Sequence, residues 1–79
     1  MFGRRINMET LTLTFYESNR RPKDGKRSTV HTFREDNLEM NFIKAQAYAR
    51  TLLLDWKCRF VRVEEEGSMV FTVWNNAKL

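Results

Sequence analysis

Between residues 37 and 56 the chain runs without a glycine or a proline, so a single long helix must occupy its middle. Apolar residues recur there at helical spacing. At 100° per residue, Leu38, Phe42, Ala45, Ala49, Leu52, Leu53 and Trp56 fall on one face about 100° wide, which predicts the side that meets the core. Asp36 precedes Glu39 by three residues, the spacing of a capping box, and is the expected N-cap. The resulting helix is about 19 residues and near 28 Å long.

On either side of this helix the period changes from helical to two. Leu11, Leu13 and Phe15 alternate with Thr10, Thr12, Thr14 and Tyr16, predicting a half-buried strand over 9–17. Residues 28–33, rich in β-branched and aromatic side chains, predict a second strand. Its buried face stays open at this point, because Val30 and Phe33 fall on opposite sides. An Asp24-Gly25 pair between the two strands predicts a tight turn and hence a hairpin. Beyond the helix, residues 59–65 and 68–74 predict two further strands joined at Glu66-Gly67.

The expected fold is therefore α+β: a single ββαββ domain over residues 1–79, with an antiparallel four-stranded sheet and the helix packed on one face. Residues 1–8 have no clear period and are expected to be an arm of uncertain order, and 75–79 a frayed tail. One helix covers one sheet face, so the other is expected to be partly exposed or to meet a partner.

Charge is distributed unevenly. The net charge is +4, and segment 19–27 holds Arg20, Arg21, Lys23, Lys26 and Arg27 against Asp24 alone. The rest of the chain carries equal numbers of basic and acidic side chains.

Signals for catalysis or metal chemistry are weak. His31 has no Ser, Cys or Asp partner at a spacing that reads as a triad. Gly3, Gly25 and Gly67 are scattered, so no phosphate-binding loop can be drawn. Glu64, Glu65 and Glu66 read as a solvated turn. Cys58 is the single cysteine and is expected to be a buried thiol, and with His31 alone it completes no ordinary metal cage. The expectation is a non-enzymatic protein with no metal or cofactor. No apolar run reaches the roughly 20 residues of a membrane span, and the N-terminus lacks the apolar stretch of a secretion signal, so a cytoplasmic protein is expected.

Two functional readings follow. In the first, the chain binds nucleic acid. Arg20, Arg21, Lys23, Lys26 and Arg27 contact phosphates from the hairpin loop, Arg4 and Arg5 extend the patch, and Tyr16, pointing away from the core, offers a ring for base stacking, as Trp74 does. Five such contacts imply a slope of log K against log salt near −4.5 on duplex DNA. In the second, the chain is a protein-interaction module, with an acidic protein surface as an alternative partner for the loop. Met40, Ile43, Ala47 and Leu54 form a second apolar strip on the back of the helix, suited to a homodimer or a protein partner, and the open sheet face is another docking surface.

The paired Arg4 and Arg5, a sheet with a turn like Lys23-Asp24-Gly25-Lys26, and a capped helix, in that order, resemble the arm-type DNA-binding domain of phage-type tyrosine integrases. That resemblance implies a sheet entering the major groove. The chain departs from the family in lacking a further strand before the helix and in continuing into a second hairpin. Its size and its basic, cysteine-poor composition also resemble the small inhibitors that bacteriophages encode against host machinery, including anti-CRISPR proteins.

Overall fold

The computed structural model describes residues 8–18 and 27–75. Their elements run β1 (Glu9–Ser18), β2 (Ser28–Glu35), α1 (Leu38–Trp56), β3 (Phe60–Glu65) and β4 (Ser68–Trp74). The strands form one antiparallel sheet in the order β2-β1-β3-β4, with the helix across one face, which is the ββαββ α+β fold expected. Since β1 lies between β2 and β3, those two strands run parallel to each other and need a long crossover, which α1 supplies.

Alternation in β1 sorts its side chains. Leu11, Leu13 and Phe15 are buried beneath the helix, and Thr12, Thr14 and Tyr16 point to the other face. Full burial of a side chain such as Leu13 or Phe15 contributes about 1.5–3 kcal/mol, and truncating Phe15 to alanine would cost about 3–5 kcal/mol. Val61 and Val63 continue this core in β3, each with no exposed surface. Rings close its two flanks. Phe15, Phe33 and Tyr48 meet edge to face on one side, and Phe42 meets Phe71 on the other.

Pairing resolves the face of β2. Phe33 lies opposite Leu11 and is buried, whereas Val30, opposite Thr14, is 62% exposed on the far face. Pairing also carries the strand to Glu35, two residues past its expected end, because Arg34 and Glu35 still match Thr10 and Glu9.

This extension corrects the helix cap, which is Asn37 and not Asp36. With β2 running through Glu35, Asp36 is spent on the bend. The extended backbone of Asn37 (φ −148°, ψ 167°) brings its Oδ1 to accept from the Met40 N–H at 2.8 Å. Leu38, expected in the core, is 46% exposed. The reason is position along the axis: Asn41 Nδ2 donates to the carbonyl of Glu9, the first residue of β1, so the turn before Asn41 overhangs the end of the sheet. Asn41 is itself fully buried, and its Oδ1 meets no donor among the described residues.

The helix ends on Lys57 in the left-handed region (φ 55°), whose N–H returns to the Leu53 carbonyl at 2.9 Å. At the β3–β4 turn Glu66 (φ 51°) and Gly67 (φ 87°) both have positive φ, the pair of angles a two-residue hairpin needs to match the strand twist. Asn75 departs from the frayed tail expected. Its N–H donates to the Arg59 carbonyl and its Nδ2 to the Cys58 carbonyl, tying the end of β4 to the approach to β3. The arm residues 1–7, the Asp24-Gly25 turn and residues 76–79 lie outside the described residues.

Candidate functional site

β1 and β2 remain paired up to Tyr16 and Ser28, and one step further the Glu17 N–H donates to the Arg27 carbonyl at 2.8 Å. Ser18 and Arg27, the described residues that flank positions 19–26, therefore lie at the same end of the sheet. Arg20, Arg21, Lys23 and Lys26 lie between them in the sequence. These four residues, with Arg4 and Arg5, lie outside the described residues.

Arg27, expected to contact phosphates, is paired with Glu17 while its side chain stays 54% exposed. Glu17 takes the next inward position after Leu13 and Phe15 and is 8% exposed. Its Oε1 accepts from the Arg27 N–H and Nε at 3.1 and 2.9 Å, and its Oε2 from Nη2 at 3.1 Å. The same Nη2 donates to the Trp56 carbonyl at 2.9 Å, and the guanidinium lies 5.8 Å from the Trp56 ring centroid. Hydrogen bonding to Glu17 raises the Arg27 pKa above its already high ordinary value. The cation joins the hairpin to the end of the helix, and its charge is met by the protein's own carboxylate.

The sheet face away from the helix carries half-buried Tyr16 and Phe60 beside exposed Arg62 and Trp74. Tyr16 points outward, as its alternation predicts, and the register sets it opposite Arg62, whose guanidinium lies 5.5 Å from the Tyr16 ring centroid. One position pair further towards the loop end, Ser18 faces Phe60, and Phe60 faces Trp74. The Phe60 and Trp74 rings lie 4.4 Å apart at 30°, and Trp74 is 54% exposed. Tyr16, Phe60 and Trp74 thus form a diagonal across β1, β3 and β4 at the end where the basic segment begins. Arg62 also pairs with Glu64 at 3.0 Å, and Arg34 lies on the same face beside Thr10.

Phe60 and Arg62 were not singled out from sequence. The signal was present in the alternation of β3, where Val61 and Val63 are buried and Phe60 and Arg62 take the opposite face. On the back of the helix Met40, Ile43, Ala47 and Leu54 are all exposed, and Leu54 most of all at 75%.

His31 lies against Phe33 and Tyr48, at 4.5 and 4.7 Å between ring centroids, beside a shallow groove lined also by Lys44 and Ala47. Cys58 is buried, and desolvation pushes its thiol pKa up, which keeps it protonated and poorly nucleophilic. Among the described residues no group of three or more His, Cys, Asp or Glu is placed to hold a metal ion, and no helix is long and apolar enough to cross a membrane. No protein-family model, curated protein or solved structure matches the chain.

Proposed function

We propose that this chain is a non-enzymatic module that binds nucleic acid, holding phosphates with the basic segment that leaves and rejoins one end of the sheet. The observation behind this reading is that β1 and β2 are still bonded at Glu17 and Arg27, so the two bonded strand ends are linked by residues 19–26, whose sequence holds Arg20, Arg21, Lys23 and Lys26 with Asp24 as the single acid. With Arg27 occupied by Glu17, four cations are left to release counterions from a phosphate backbone. That implies a slope of log K against log salt of roughly −3.6 on duplex DNA, at about −0.9 per contact. Fluorescence anisotropy across a salt series tests it. Binding that weakens with this slope and disappears when the four residues are changed to glutamate supports the reading, and binding absent or indifferent to salt removes it.

A second reading rests on the exposed strip of Met40, Ile43, Ala47 and Leu54, which suits a protein partner or a second copy of the chain. Ile43→Asp would abolish that association and spare nucleic-acid binding, so sedimentation of the wild-type and variant chains separates the two readings.

A further inference from the structure

We propose that the sheet face bearing Tyr16, Arg62, Phe60 and Trp74 is a stacking platform for the bases of a single-stranded nucleic acid. This rests on the nucleic-acid reading above and specifies the form of its ligand. Three rings and a guanidinium stand on adjoining positions of one flat surface, and no other described element covers it. Bases of a single strand are free to splay out and stack on aromatic rings or on the plane of an arginine, whereas duplex bases are already stacked on each other.

Arrangement and charge both favour this occupant. Tyr16 and Phe60 are diagonal neighbours across β1 and β3, a separation of roughly 7–8 Å between backbones, and Phe60 leads directly to Trp74. Successive bases could therefore meet successive rings. The face carries Arg34 and Arg62 against Glu64, a balance of charge that favours a polyanion. Thr10, Thr12, Thr14 and Thr32 also lie on the face, with Thr12 and Thr32 hydroxyls bonded to each other at 2.9 Å, as do the exposed Val30 and Met69 away from the rings. A four-stranded sheet face is broader than the two-stranded ribbon or single helix that a duplex major groove accepts.

The test compares a mixed-sequence single strand of about 12 nucleotides with its duplex, using the whole chain and its Trp74→Leu and Tyr16→Leu variants. The single strand is expected to bind at least about ten-fold more tightly than the duplex and to quench tryptophan fluorescence. Each variant should weaken it roughly ten-fold, leave the thermal midpoint near wild type, and preserve a salt slope of roughly −2.8 for four contacts to a single strand. Trp74→Phe should restore most of the loss. Equal or tighter binding of duplex, or single-strand binding that both leucine variants leave within about two-fold of wild type, overturns the platform while the phosphate-binding reading stands. Failure to bind either oligonucleotide at low salt removes that reading and the platform with it.

Discussion

Glu17 and Arg27 hold each other through four hydrogen bonds, one from the Glu17 N–H to the Arg27 carbonyl and three from Arg27 to the Glu17 carboxylate. A buried carboxylate at the mouth of the hairpin is thereby neutralised by a residue that composition alone assigns to the ligand. The pair fixes where the basic segment begins and ends, and it docks that end of the sheet on the helix terminus through the Trp56 carbonyl.

Replacing Arg27 should accordingly affect folding more than binding. Arg27→Ala leaves a buried carboxylate without its guanidinium and should lower the thermal midpoint, and the loss in the Glu17→Gln/Arg27→Ala double variant should be smaller than the sum of the two single losses. The salt slope for nucleic acid should stay unchanged. A slope reduced by about one unit in Arg27→Ala would return Arg27 to the set that contacts phosphate.

The helix cap gives a second test, because two adjacent residues make opposite predictions. Asn37→Ala removes the acceptor of the Met40 N–H and should cost about 1 kcal/mol in urea unfolding. Asp36→Ala should change stability by less than about 0.5 kcal/mol, as for an ordinary surface position. The reverse order would mean that Asp36 caps the helix in solution.

These corrections share a physical origin. Local patterns placed every element and its type, since alternation in β1 and helical spacing after residue 37 report burial directly. What they could not report is pairing between distant segments. The match of Arg34 and Glu35 with Thr10 and Glu9 decided where β2 stopped and so which residue capped the helix. By the same 100° stepping Asn41 falls just outside the edge of the inward stripe, next to Leu52, and only the Glu9 carbonyl across the sheet explains its burial. The candidate site shows the same division. Tyr16 and Trp74 were visible as outward rings, while Phe60 and Arg62 joined them only once register set β3 between β1 and β4.

The β3–β4 turn offers a gain in stability. Glu66 adopts a positive φ that asparagine tolerates better than glutamate, so Glu66→Asn should stabilise by up to about 1 kcal/mol. Gly67→Ala would meet no atom within 4 Å, so its cost comes from the φ of 87° alone and should be about 1–2 kcal/mol. Chemical denaturation of both variants checks the pair, and a tolerated Gly67→Ala would show that the turn relaxes to another type.

Cys58 sets an alkaline limb on stability. Burial raises the thiol pKa in the folded chain above the value of about 8.5 expected when unfolded. Between those two values the unfolded chain has released the proton and the folded chain retains it, so stability falls as pH rises through that window and is fully present below it. Arg27 does not titrate on this limb, because an arginine stays charged in both states well past the thiol range. Cys58→Ala removes the titrating group, so the stability difference between wild type and variant should shrink as pH rises above the unfolded thiol value of about 8.5. In the same range a thiol reagent should modify the native protein slowly and the urea-unfolded chain quickly. A constant difference across pH, or rapid labelling of the native chain, would place the Cys58 sulfur in contact with solvent rather than in the core.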